Sequence, residues 1–226
     1  MTSEAHVSEA AAPSERDNGW FEPAPLRPVT GQVMSPRLAL LFALACGLSV
    51  ANIYVAQPLL DAMAREFSIS PAAVGMVVTV TQIGYALGLI FIVPLGDLLD
   101  PRRLIVSQAA LSALALVVVG LAPTGFVLLA GMIVVGLLAA VVQVLVAYAA
   151  TLAAPTERGR VVGAVTSGVV IGILLARFVS GVFADLGGWR SVYLCSAGLM
   201  LILSSLLLRT LPRRSRTGAR RPIWRC

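Results

Sequence analysis

The sequence contains no lysine, one histidine and three cysteines among 226 residues, and each scarcity removes a kind of chemistry. Without lysine, the formal net charge of +6 rests on arginine alone. Most of these arginines lie in short segments between apolar runs and in the C-terminal stretch, so the positive-inside rule accounts for them and no nucleic-acid partner is implied. His6 stands alone in a polar tail. Cys46 and Cys195 fall in separate apolar runs and Cys226 is the last residue, which leaves no disulfide framework and no paired metal-ligand spacing. Acidic residues are sparse and absent from the depths of the apolar runs. With no nucleophile beside a base, no carboxylate pair and no histidine cluster, catalysis, a metal and a cofactor are all unexpected.

What is present is apolar. Hydrophobic residues make up 58% of the chain and charged residues 12%, with a mean hydropathy of +0.90, values that describe an integral membrane protein. A span needs about 20 mostly apolar residues to cross a hydrocarbon core about 30 Å thick. The sequence predicts six: about Leu38–Leu60, Val74–Leu95, Leu104–Leu121, Phe126–Ala153, Val161–Ala184 and Val192–Leu208. The expected fold is an all-α, six-helix membrane bundle over residues 37–211. Residues 1–36, rich in Ala, Pro, Ser, Glu and Arg, read as a disordered cytoplasmic tail, and residues 212–226 as a basic cytoplasmic tail.

Between the second and third spans the sequence runs Pro94-Leu95-Gly96-Asp97-Leu98-Leu99-Asp100-Pro101-Arg102-Arg103. So short a charged turn requires both helices to emerge on one side. Asp97 closes a helix whose last carbonyls already carry partial negative charge, so a compensating group is expected, either the arginines that follow or the N-terminus of another helix. The loop Glu157-Arg158-Gly159-Arg160 is also basic and falls on the same side. Arg65 and Arg190 are expected outside, Arg177 within a span, and the remaining arginines inside with both termini. Trp189 reads as an interfacial anchor.

Polar residues within spans are few, and they cost energy unless paired or wetted. Asn52, Tyr54 and Gln57 close the first span; Gln82 and Tyr85 share a stripe with Thr81 on the second; Gln143 lies in the fourth. Together they suggest a shared wet cavity. Arg177 carries the one charge well inside a span, at a cost of roughly 2.5–3.5 kcal/mol near the membrane centre, and is expected to be paired, wetted or snorkelling outward. The third span reads as aliphatic scaffold. In the fifth, Ala164, Gly168, Gly172, Ala176 and Ser180 place a small residue every fourth position, a device for close helix packing. No residue-level internal repeat is visible.

Several segments now coincide with one family. Asn52-Ile53-Tyr54 with Gln57-Pro58-Leu59-Leu60, Gly84-Tyr85-Ala86-Leu87-Gly88-Leu89 leading into Pro94-Leu95-Gly96-Asp97, Arg158-Gly159-Arg160 with Gly163, and Gly188-Trp189-Arg190 resemble the N-terminal half of a major facilitator superfamily transporter. The likeness covers about Ser49–Leu211 and is greatest to bacterial drug or sugar efflux permeases of the proton-antiporter type. It implies six helices built as two inverted three-helix repeats. It also implies secondary active efflux or antiport of a small organic solute by alternating access in the bacterial inner membrane, with protons as candidate coupling ions.

In that scheme Asn52, Tyr54, Gln57, Gln82, Tyr85, Gln143 and Arg177 line the substrate cavity. Asp97, Arg102 and Arg103 match the family's turn signature and imply a conformational latch. The chain departs from the signature at Val93, Leu98, Asp100 and Pro101, and Met132 stands near a position where relatives carry arginine. The implied partners are membrane lipid, the solute and a second six-helix half. Truncation of the gene after about Leu211 is the favoured expectation for that second half; pairing of two copies is the alternative.

Overall fold

The computed structural model describes residues 34–68 and 70–211, with residues 71–73 and 97 described by their backbone alone. The basic tail and all but the end of the N-terminal tail lie outside the described residues. Helices α1 (Pro36–Tyr54), α2 (Leu60–Phe67), α3 (Pro71–Leu98), α4 (Pro101–Gly120), α5 (Gly125–Ala139), α6 (Val141–Leu152) and α7 (Arg158–Thr210) follow in order, with a 3-10 turn at Gln57–Leu59.

Local chemistry sets most of these boundaries. Ser35 accepts a hydrogen bond from the Leu38 N–H, and Pro36 sits in the first turn of α1, the position where a missing N–H is harmless. Pro58 lies in the 3-10 turn where α1 gives way. The expected outer segment from Asp61 is still helical as far as Phe67, with Met63 buried and Asp61 and Glu66 exposed. At the α3–α4 turn, two departures from the family signature acquire a structural purpose. Asp100 caps α4 by accepting from the Arg102 N–H at 3.0 Å, and Pro101 opens the helix. The fourth span, expected as one helix, is divided at Ala140, whose N–H turns to the Leu137 carbonyl at 3.3 Å; the interruption is a single tightened turn.

Five helical stretches among the described residues are long and apolar enough to cross a membrane. The last of them, α7, has 53 residues and would be about 80 Å long if straight. It is not straight, because Gly188 adopts φ 74° and ψ 168°, a conformation that a Cβ opposes. Ser191 Oγ then donates to the Phe183 carbonyl at 3.2 Å, although a continuous helix would hold those residues about 12 Å apart. The chain therefore folds back, and α7 is two limbs, residues 158–187 and 189–210. Six spans result, as the sequence predicts, but the turn between the last two is reduced to one glycine.

Packing reveals the repeat that the sequence hides. The first limb of α7 runs along α1, α3 runs along α5, and the second limb runs along α4. A Cβ on Gly168 would strike the Ala43 carbonyl, and one on Gly172 the Gly47 carbonyl; likewise Gly84 lies against the Ile133 carbonyl and Gly88 against that of Leu137. Two glycine pairs, each four residues apart, thus carry two equivalent crossings. The α4–α7 contact is equally reciprocal. Arg102, at the start of α4, donates to the Leu208 carbonyl near the end of α7. Arg190, at the start of the second limb, donates to the Gly120 and Ala122 carbonyls at the end of α4, at 3.0 and 2.8 Å. Each arginine satisfies carbonyls that a helix end leaves unpaired, and two such ties require the helices to be antiparallel. The third span is more polar than the expected aliphatic scaffold, for Gln108 and Ser112 are buried on α4 and Ser204 donates to the Val106 carbonyl.

Candidate transport site

The expected cavity residues separate into two pairs and three outliers. In the α1–α7 crossing, Arg177 Nη2 donates to Gln57 Oε1 at 2.8 Å. In the α3–α5 crossing and its continuation into α6, Gln143 Nε2 donates to Tyr85 Oη at 3.3 Å. Each crossing therefore places one polar contact between helices that are already held close by glycine. Gln143 and Arg177 are exposed on the bundle, while Gln57 and Tyr85 are half-buried. Gln57 offers the Arg177 guanidinium a dipole and no countercharge.

The outliers are Asn52, Gln82 and Tyr54. Asn52 is 3% exposed and its Oδ1 has no protein partner, so it lies inside the bundle and in neither pair. Gln82 is exposed, and Thr81 in the same proposed stripe is buried with its hydroxyl donating to the Val77 carbonyl at 2.6 Å. That stripe therefore splits between two faces. Tyr54 is half-buried against the apolar core.

A cavity of about 220 Å³ opens between the end of α3, the start of α4 and α6, with Val93, Gly96, Pro101, Gln143, Tyr148 and Thr151 on its walls. Gln143 thus reaches both Tyr85 and this cavity. At the same end of the bundle Arg103 is exposed and Arg102 is turned to Leu208; the Asp97 side chain, the expected centre of the latch, lies outside the described residues.

Of the small-residue ladder, Gly172, Ala176 and Ser180 are buried, Gly168 is half-buried and Ala164 is exposed. Ala164 is a correction with a simple cause: positions four apart advance about 40° around a helix beyond a full turn, so a ladder of five cannot keep one face toward a single neighbour.

The polar cluster at the other end was not assembled from sequence. Glu66 on α2 accepts from Trp189 Nε1 and from Arg190 Nε and Nη2, the last at 2.6 Å. This is the one salt bridge among the described residues. The Arg190 guanidinium lies 4.7 Å from the Trp189 ring centroid, and Trp189 packs between Phe67 and Tyr193 with ring centroids at 6.0 Å. Trp189 is only 4% exposed, which corrects its expected role as an interfacial anchor. The available signal was that Gly188-Trp189-Arg190 carries a donor, a ring and a charge in sequence; its acceptor is more than 120 residues away.

A family model described as the Major Facilitator Superfamily matches residues 17–224. The chain belongs to the Major Facilitator Superfamily. Among relatives of this major facilitator chain, the uncharacterized transporter YgaY of Escherichia coli O157:H7 is 47% identical over 180 residues, covering 80% of this chain and 46% of YgaY. A protein of Streptomyces coelicolor named "Probable transporter SCO4007" is 38% identical over 202 residues, covering 87% of this chain and 47% of its own length. The purine ribonucleoside efflux pump NepI of Escherichia coli O127:H6 is 26% identical over 172 residues, covering 76% of this chain and 43% of NepI. The chain spans about half the length of the curated relatives it matches. As a major facilitator chain with several membrane-crossing helices it is a multi-pass membrane protein.

Proposed function

We propose that this chain forms the N-terminal six-helix half of a secondary transporter that moves a small organic solute by alternating access across a bacterial inner membrane, both ends facing the cytoplasm. The observation that carries the reading is the pair of glycine-lined crossings, each joined by one polar contact, Arg177–Gln57 and Gln143–Tyr85. Glycine lets backbones approach without interlocking side chains, so such helices can shift while a polar contact is exchanged for solute. No step of chemistry is asked of the protein. Tyr54, Asn52 and Gln82 complete the cavity wall in this reading, and protons are the first coupling ions to try.

The second six-helix half, another chain segment or another copy of this one, would cover the exposed apolar faces of α3 and the first limb, where Ile90, Phe91, Leu174 and Phe178 are 63–72% exposed. Efflux is the first direction to test and inosine the first solute, because NepI is named as a purine ribonucleoside efflux pump. The experiment is inosine counterflow in vesicles carrying the full chain, repeated with a panel of neutral and anionic solutes. Saturable flux above empty vesicles, abolished by Gln57→Leu and Gln143→Leu at equal protein level, supports the reading. Flux that survives both substitutions removes the cavity assignment. An absence of flux for every solute favours a bundle that only packs with other membrane subunits.

A further inference from the structure

The two arginine ties between α4 and α7 differ in one respect. Arg190 has a carboxylate, Glu66, built against it. Arg102 has its Nη2 on the Leu208 carbonyl and a buried Nε with no protein partner. The tie also brings Arg103 and Arg209 to the same end of the bundle, and both are exposed. Of the neighbouring acids, Asp100 has Oδ1 engaged with the Arg102 N–H, and Asp97 is described by its backbone alone. The sequence then continues through Arg213, Arg214, Arg216, Arg220, Arg221 and Arg225 with no acidic residue. Just beside this basic end, Leu206 and Leu208 on the second limb are 44% and 52% exposed, with Ile202 one to two turns further in at 66%.

We propose that this end of the α4–α7 pair is a binding site for anionic phospholipid, with headgroup phosphate held by Arg103 and Arg209 and acyl chains lying on the leucine and isoleucine face. A cluster of arginines directly beyond a membrane helix attracts anionic headgroups by charge, and the guanidinium fork matches phosphate oxygens. The bilayer supplies both parts of such a ligand at this depth. The inference rests on the membrane-spanning reading and not on transport or on which side faces the cytoplasm.

The test uses the full chain in vesicles with the same lipid in both leaflets, and measures by electron spin resonance the association of spin-labelled phosphatidylglycerol relative to spin-labelled phosphatidylcholine. The wild type should prefer phosphatidylglycerol by on the order of fivefold, the equivalent of one well-placed arginine, and lose the preference as salt rises. Arg103→Gln/Arg209→Gln should lower the preference at least twofold with helicity unchanged, the corresponding lysine variant should retain most of it, and Arg16→Gln/Arg27→Gln should leave it intact. Several results overturn the proposal. One is equal association of the two lipids; another is a preference that only Asp97→Asn uncovers, which means the arginines are neutralised internally. A preference lost with the arginines beyond Leu211 but untouched by Arg103→Gln/Arg209→Gln places binding in the tail alone. Displacement by inorganic phosphate beyond that by chloride at equal ionic strength makes the ligand free phosphate.

Discussion

The first three spans and the last three use the same backbone contacts with different side-chain chemistry. Gly84 and Gly88 serve the α3–α5 crossing as Gly168 and Gly172 serve the α1–α7 crossing, and Arg102 and Arg190 close opposite ends of α4 against α7. Where backbones meet, the repeats agree, because a single added carbon would collide with a carbonyl. Side chains carry the differences. One crossing carries a charge, Arg177, and the other carries the neutral Gln143–Tyr85 contact; one arginine tie contains an acid and an indole, and the other has an unpaired buried nitrogen. The architecture is duplicated and the chemistry is specialised.

The largest effects should come from filling the crossings. Gly84→Val and Gly168→Val each drive a side chain into carbonyl oxygen that cannot move without its helix, and each should destabilise the bundle by about 1–3 kcal/mol, the usual range for overpacking. Gly163→Val, where nothing lies within 4 Å of the added carbon, should cost much less. Unfolding in mixed micelles with denaturing detergent measures all three. Equal losses at the two crossings support the repeat; tolerance at one and not the other breaks it.

The arginine ties come next. Glu66→Ala removes the acceptor of the buried Trp189 indole N–H as well as the salt bridge. An unsatisfied buried donor costs about 1–3 kcal/mol, whereas the half-exposed ion pair alone is worth at most about 1 kcal/mol. Glu66→Ala should therefore destabilise more than Glu66→Gln, which keeps an acceptor. Arg190→Gln, losing three acceptors, should exceed Arg102→Gln, which loses one carbonyl. The reverse order would show that the Arg102 tie holds more than its one hydrogen bond to the Leu208 carbonyl.

How much of this could be read from the chain depends on sequence distance. Long apolar runs announce spans locally, so the spans and the turn near Gly188 were legible, as was the small-residue character of the fifth. The reduction of that turn to one residue was not, since Gly187 and Gly188 look alike in sequence and only φ at Gly188 distinguishes them. The Glu66–Arg190 contact was hidden because its members are read as separate loop charges until the fold joins them. Ala164 was included through the fourfold spacing, which is correct over two steps and drifts over four. The glycine repeat escaped because Gly84 and Gly168 align only when their carbonyl partners, Ile133 and Ala43, are known.

The smallest effect should be the most informative about the two crossings. The Gln143–Tyr85 contact is 3.3 Å long and Gln143 is exposed, so Gln143→Leu should change stability by no more than about 0.5 kcal/mol, near the lower limit for a net hydrogen bond. Arg177→Leu removes a shorter bond, 2.8 Å to Gln57, and also the cost of holding a guanidinium within a span; these oppose each other, and the net change should again be small, with a sign favouring the leucine variant. If both variants fold as stably as the wild type, neither polar contact is needed to hold the helices together, since glycine packing does so. A loss above about 1.5 kcal/mol for either would instead make that contact part of the scaffold, and the cavity would lose the residue concerned. The same unfolding measurement that tests the glycines thus separates groups that hold the bundle from groups free to meet a solute.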